Sequence, residues 1–408
     1  MVVDGWKRMP LGEFVTLQRG HDLPDERRRP GGVPILGSFG ITGWHDEAKA
    51  PGPGVTVGRS GASFGVVSYS PRDYWPLNTA LYVIDFHGNE PRFAYYFLKQ
   101  FDFQAYNSGS AQPSLNRNFI HPVLVDVPPL AEQRAIAHIL GTLDDKIELN
   151  KWMNETLEEI ARALFKSWFV DFDPVHAKAE GRDPGLPEPL ANLFPDEFEH
   201  SEFGEIPKGW TVGRLGDVLE QRVERCVASV ETAARPYVPI DCISSKSLFL
   251  AESKPGEEAQ SSLIKFHKGD LLFGAMRPYF HKVSIAPFDG TTRMTAFVLF
   301  PRSKEDFAFA TLLLHHSDTI DYATRHSTGS TIPYAVWSNS LDDMPVMVPS
   351  SKVRSAFDGV VRPILTRIPE PYFQNKSLTT LRDTLLPKLI SGEVRIKNVG
   401  NIVSAANS

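Results

Sequence analysis

Only two cysteines, Cys226 and Cys242, occur in 408 residues. That is too few for a disulfide framework, and a lone pair without nearby histidines makes a poor zinc site. Both read as plain buried thiols of a reducing compartment. No apolar run approaches the roughly 18 residues that a membrane span needs, and the start, MVVDGWKRMP, is not a signal peptide. The chain therefore reads as cytoplasmic. Catalytic signatures are missing as well. There is no G-x-x-x-x-G-K-[ST] phosphate loop; GRSGASFG at Gly58 has the glycines without the Lys-Ser/Thr. VPPL at Val127 does not begin with the polar residue of an amine-methylating motif. FPDEFEH at Phe194 reads as an acidic linker rather than a metal-nuclease cluster, and His315-His316 as a partly exposed pair rather than ligands. No catalytic residue and no metal ligand can be named. The chain binds and organises.

What the sequence does have is a repeat. WKRMPLGEF at Trp6 matches WTVGRLGDV at Trp210, and GSAQP…VDVPP at Gly109 matches GSTIP…VMVPS at Gly329. The spacing between matches is 204 at Leu11/Leu215, 216 at Gly58/Gly274, 220 at Gly109/Gly329 and 221 at Asn154/Asn375. It only grows, and only between blocks, as surface-loop insertions behave. Two copies are too few for a solenoid and suit a pseudo-two-fold object that touches a two-part target.

Each copy is a mixed α/β block followed by a helix. VPILG, GVTVGR, GVVSYS and NTALYVIDF read as strands, residues 91–106 as a helix and HPVLVDVPP as a closing strand. The second block repeats this order with YVPIDCI, DLLFGAMR, KVSIAPF, TTRMTAFVLF, a helix over 304–326 and MPVMVP. From Ala131, Ile136, Leu140, Leu143, Ile147, Asn150, Asn154, Leu157, Ala161, Leu164 and Trp168 step by 4 and 3, a coiled-coil seam of roughly 57 Å. Phe357, Val361, Ile364, Ile368, Asn375, Leu378, Leu385 and Leu389 repeat it. Two amphipathic helices, each packing on its own block, would give a similar pattern; the length and the seam asparagines favour pairing. Pro363, Pro369 and Pro371 predict a kink or break near 369–371. Net charge is −6 overall, with −8 over 131–200 and +5 over 351–408, as side-by-side helices would have, although solvated faces also carry charge. The fold class is therefore α/β (α+β): two mixed domains joined by two long helices in an antiparallel coiled coil. Its parts are domain 1 (1–130), a long spacer helix (131–172), a Pro-rich non-helical linker (173–209), domain 2 (210–350), a Pro-interrupted second helix (351–395) and a flexible tail (396–408).

The segment VPPLAEQRAIAHILGTLDDKIELNKWMNETLEEIARALFKSWFVDFDPV (127–175) resembles the specificity subunits of type I restriction-modification systems. FGEIPKGW (203–210) and the closing LRDTLLPKLISGEV (381–394) resemble the same family. The resemblance implies two target recognition domains, each reading half of a bipartite site in double-stranded DNA. It implies helices that space them and dock two modification (methyltransferase) subunits, and restriction (translocase/nuclease) subunits in the full complex. S-adenosylmethionine, ATP and Mg2+ belong to those partners, with no cofactor in this chain. The usual LAEQ start of the second helix is SSKVRSAF here, which predicts less symmetric docking. A scaffold or adaptor of such a complex that no longer reads DNA is the second reading.

Polar and basic residues on the Gly-rich loops are the candidates for DNA contact. In the first block they are Arg59, Ser60, Ser63, Asn78, Thr79, Ser110, Gln112, Ser114, Asn116 and Arg117. In the second they are Arg277, Tyr279, His281, Lys282, Arg293, Thr295, Ser330, Thr331 and Tyr334. ERRR at Glu26 reads as a solvated loop that brushes the backbone. The blocks differ at most of these positions, which predicts an asymmetric site.

Overall fold

The computed structural model describes residues 4–109, 113–201, 204–260 and 262–396. Ser110, Gln112 and the tail from 397 lie outside the described residues. The chain divides into two compact units. The first takes in the chain up to Ile147 and again from Leu378; the second runs from Glu148 to Ser377. The division falls inside the long helix Leu130–Phe169 rather than at its start. The reason is where its apolar residues go. Ile136, Ala137 and Leu140 belong to the core of the first unit, and Ala161, Phe165, Trp168 and Phe169 to that of the second.

In the first unit, four antiparallel strands lie in the order Thr16–Arg19, Ala80–Asp85, Gly54–Gly58, Val67–Ser70. Gly54–Gly58 is buried throughout, as a central strand of GVTVG composition should be. A second sheet pairs Val33–Gly37 with Gly40–His45 antiparallel and with Trp75–Pro76 parallel. Lys7–Pro10 pairs with Leu124–Val127. The helix Pro91–Gln100, with proline at its start, covers the four-stranded sheet through Phe93, Ala94, Tyr96, Phe97 and Leu98. Gln133 fastens the long helix to it: its amide nitrogen donates to Pro128 O and Asn89 Oδ1, and its Oε1 accepts from the Glu90 N–H.

The second unit repeats the four-stranded order with Leu219–Gln221, Ala296–Pro301, Leu271–Gly274 and Val283–Ile285. Thr211–Arg214 pairs with Pro345–Val348. The repeat extends to individual backbone hydrogen bonds. Leu11 N–H to Val123 O (2.8 Å) recurs as Leu215 to Met344 (2.8 Å), Gly58 to Val66 (2.7 Å) as Gly274 to Lys282 (2.8 Å), and Leu115 to Arg59 (2.8 Å) as Ala335 to Ala275 (2.8 Å). The offsets of the donors, 204, 216 and 220, are those of the sequence repeat.

Several local expectations fail. YVPIDCI is not a strand but a 3-10 turn at Ile240–Cys242, because Pro239 cannot donate to a ladder. TTRMTAFVLF forms two strands in different sheets, Gly290–Arg293 and Ala296–Pro301. The segment 304–326 is two helices, Phe307–His315 and Ser317–Arg325, parted at His316. The linker after 172 is not free of helix. Pro174 and Pro189 sit in the first turns of Asp173–Ala179 and Glu188–Ala191, where a missing N–H costs nothing, and Phe198–Ser201 pairs with Gly204–Pro207. Cys242 is buried, whereas Cys226 is only half-buried; both are free thiols. Arg28 and Arg29 of the ERRR run are held in ion pairs with Asp25 and Asp46.

Within each unit the helices pair antiparallel. In the first, Arg395 bonds Glu132 (2.8 Å) and Arg382 bonds Asp144 (2.8 Å), so charges of the acidic and basic segments meet directly. In the second, Asn150 donates to Asn375 Oδ1 (2.7 Å) and Gln374 Oε1 (2.8 Å). The second seam is interrupted between the helices Ser351–Arg367 and Pro371–Ile390, while Pro363 is accommodated inside the first of them. The break frees the Ile368 carbonyl, which accepts from Asn154 Nδ2 at 3.1 Å. Of the seam residues, Ile136, Leu140, Asn150, Asn154, Trp168, Phe357, Val361, Ile368 and Leu389 are buried; Leu143, Ile147, Leu157, Leu164, Ile364, Asn375, Leu378 and Leu385 are half-buried. Leu365 and Leu386, outside the heptad reading, are buried too.

Candidate nucleic-acid interface

In the first unit three loops converge. Arg59 N–H bonds Thr79 O (3.0 Å), Gly61 N–H bonds Pro113 O (3.3 Å), and the Arg59 guanidinium donates to Asn78 O (3.3 Å). Beside them opens a groove of roughly 820 Å³, lined by Arg19, Arg59, Arg117, Gln18, Ser114 and Asn116 among others. Arg117 reaches back to Leu17 O (3.4 Å), and the Asn116 side chain caps the short helix Arg117–Ile120. Asn78 donates to Asp22. Ser60, Ser63 and Thr79 sit on the same loops outside the groove lining. Three guanidinium groups around one open groove make a site for phosphate or for a guanine edge.

Gln18, Arg19, His21, Asp22 and Ser108 escape sequence reasoning. Arg19 ends an ordinary strand, and only the neighbouring loop turns it into a groove residue. The second unit shows what is particular about it. There Val223 stands in the place of Arg19, and Arg222, in the place of Gln18, is clamped by Asp270 through two hydrogen bonds (2.8 and 3.2 Å) and stacked on Phe300. Where the second unit has Asp270, the first has Gly54, and Arg19 is exposed.

The second unit brings together the same three loops. Arg277 N–H bonds Pro333 O (2.7 Å), Ala275 N–H bonds Thr295 O (2.9 Å), and Thr328 and Tyr334 exchange backbone bonds (2.8 Å each). Tyr279, Arg293, Ser330 and Thr331 are exposed there, and Arg277 and Thr295 half-buried. Three candidates turn inward instead. Lys282 Nζ donates to Ile240 O (2.8 Å), the Tyr334 hydroxyl donates to Met294 O, and His281 Nε2 bonds His315 O (2.8 Å). These anchor the loops from below.

His315 is buried, not partly exposed as its apolar helix suggested; His316 remains half-buried. The His315 ring lies 4.4 Å from that of His281, and its Nε2 has no hydrogen-bond partner. Burial first, then the nearby His281, Arg162 and His316, push its pKa down to about 3. It is therefore neutral in the fold, while the unfolded chain takes up a proton below about pH 6.5. Stability of the second unit is expected to fall as pH drops below 6.5, by about 1.4 kcal/mol per pH unit from this residue. His315→Gln should flatten the slope. Urea unfolding of both proteins at pH 7.5 and 5.5 checks this, and parallel losses would refute it.

Among the described residues no group of histidine, cysteine or carboxylate side chains could hold a metal ion. No helix there is long and apolar enough to cross a membrane.

Comparison with known proteins follows the same line. Residues 3–159 match the family described as "Type I restriction modification DNA specificity domain". The type I restriction enzyme MjaIX specificity subunit of Methanocaldococcus jannaschii is 29% identical over 338 residues, 78% of this chain and 72% of that protein. The HindI specificity subunit of Haemophilus influenzae is 26% identical over 381 residues, 79% and 82% of the two chains. The crystal structure of a type I restriction-modification S subunit from M. genitalium aligns with a TM-score of 0.61 at 17% identity, over 95% of this chain and 96% of that one, a likeness of fold.

Proposed function

We propose that the chain is a specificity subunit of a type I restriction-modification system, and that its two units each read one half of an asymmetric, bipartite site in double-stranded DNA. It is the DNA-recognition subunit, not the catalytic one. One observation carries the two-reader proposal. The same three-loop framework occurs twice, held by the same backbone hydrogen bonds, with different side chains at its exposed positions. A repeated framework gives two readers; unlike side chains give unlike half-sites. In the first unit Arg19, Arg59 and Arg117 hold the backbone or a guanine edge, and Gln18 and Asn116 offer donor–acceptor pairs of the kind that match adenine.

In this reading two modification subunits dock on the paired helices and supply S-adenosylmethionine, and restriction subunits supply ATP- and Mg2+-dependent cleavage. The complex works in the cytoplasm, where its DNA is. Co-expression with the modification subunit in a host free of other methylation, followed by genome-wide mapping of methylated adenine, tests the proposal. The expected result is one gapped, asymmetric motif. Cofactor-binding complexes that methylate no motif would leave the chain a scaffold.

A further inference from the structure

The reading loops of the two units differ in kind. In the first unit, positions 63, 78 and 116 carry Ser, Asn and Asn. In the second, large apolar side chains stand exposed on the equivalent loops beside Arg293, Ser330 and Thr331: Tyr279 (48% exposed), Phe280 (44%), Met294 (51%) and Ile332 (47%). Met294 stands where the first unit has Asn78, and Tyr279 where it has Ser63. Phe280 corresponds to Phe64, which is buried in the first unit; the same residue type is turned outward in the second. The turn that carries it is bracketed by left-handed residues in both units, Gly61 and Gly65 (φ +74° and +78°) in the first and Arg277 and His281 (+52° and +51°) around the 3-10 turn Pro278–Phe280 in the second. That turn projects two aromatic rings 4.9 Å apart. Such backbone strain at two non-glycine residues persists only where the surroundings impose it. Here the Arg277 N–H to Pro333 O bond and the His281 ring bond to His315 O hold both ends. The Tyr334 hydroxyl on Met294 O and the Met276 N–H on Thr295 O tie all three loops into one edge.

This edge is apolar at its tips and basic beside them, with Arg277 half-buried and Arg293 exposed. A polyanion carrying apolar groups matches both features. In the major groove a base pair shows one apolar group, the C5-methyl of thymine, and contacts to it are made by apolar side chains. We infer that the half-site read by the second unit contains thymine, recognised through its C5-methyl group by Tyr279, Phe280, Met294 and Ile332, while Arg277 and Arg293 face phosphate. The inference rests on the proposal that this unit reads DNA. It goes further by naming the chemistry read.

The test takes the mapped motif and three duplexes: one natural, and two in which the thymines of one half-site or the other are replaced by deoxyuridine. Deoxyuridine keeps every hydrogen bond of thymine and loses only the methyl group. The complex of this chain with its modification subunits is expected to bind one substituted duplex roughly fourfold more weakly per methyl removed, and the other as well as the natural one. Met294→Asn and Phe280→Ser should each shrink that penalty, bringing the ratio of affinities for the natural and the deoxyuridine duplex towards one. Equal affinity for all three duplexes overturns the inference, as does a penalty that both substitutions leave intact. A complex with a mapped motif that fails in this way still reads DNA. A complex with no sequence preference overturns the underlying proposal, and the inference with it.

Discussion

Arg19→Ala, Arg59→Ala and Arg117→Ala, combined in one chain, are expected to weaken binding of the assembled complex to its site by on the order of a thousandfold. Each well-placed arginine contact to base or phosphate is worth about 1–3 kcal/mol, and three contacts in one groove do not add fully. None of the three residues belongs to the helix seam, so complex yield should be unchanged. The salt dependence then separates two roles. An arginine on phosphate lowers the slope of log K against log salt by about 0.9 when removed. An arginine on guanine leaves the slope and relaxes the motif at one position. Fluorescence anisotropy at several salt concentrations, with methylation mapping of each single variant, gives both readouts. Wild-type affinity in the triple variant would remove this groove from the reading surface. Arg19 is the sharpest single case, because Val223 stands in its place in the second unit and cannot do the same job.

Phe357→Ala is expected to destabilise the second unit by about 3–5 kcal/mol. Phe357 is fully buried, with its ring centroid 4.8 Å from Phe169, 5.2 Å from Trp168 and 6.3 Å from Phe165. Truncation leaves a void among three rigid rings from the long helix, and rigid rings close a void poorly. Its repeat counterpart, Ile136, shares the core of the first unit with Leu389, itself the counterpart of Trp168. The two units thus use one packing scheme with larger side chains in the second. Denaturant unfolding, followed by tryptophan fluorescence, measures the effect. A loss below about 1 kcal/mol would mean that the aromatic cluster is not what holds the helices in that unit.

The sequence made the periodic features visible. Steps of 4 and 3 from Ile136 to Trp168 gave the long helix, and the growing offset gave the repeat, because both patterns follow directly from backbone geometry. The break at 368–370 was visible in Pro369 and Pro371. The interruption of 304–326 at His316 was not, because no proline or glycine marks it. The site was legible at its loops and obscure at its walls. Arg59, Asn116 and Arg117 stand on glycine- and asparagine-rich turns, whereas Arg19 ends a plain strand and becomes a groove residue only through tertiary neighbours. His281 and Lys282 have the right chemistry for DNA but, at the left-handed residue 281 and just after it, bond inward to His315 O and Ile240 O. Side-chain direction after such a residue is not written in composition.

The hydrogen bonds that the two sets of reading loops share are made by peptide groups, and so the exposed side chains that take no part in them are largely excused from keeping the protein folded. Substitution at the displayed positions changes the message at little thermodynamic cost, while substitution in the framework is punished at once. A lineage built this way can wander through recognition sequences by single point changes, one half at a time, without passing through an unfolded ancestor.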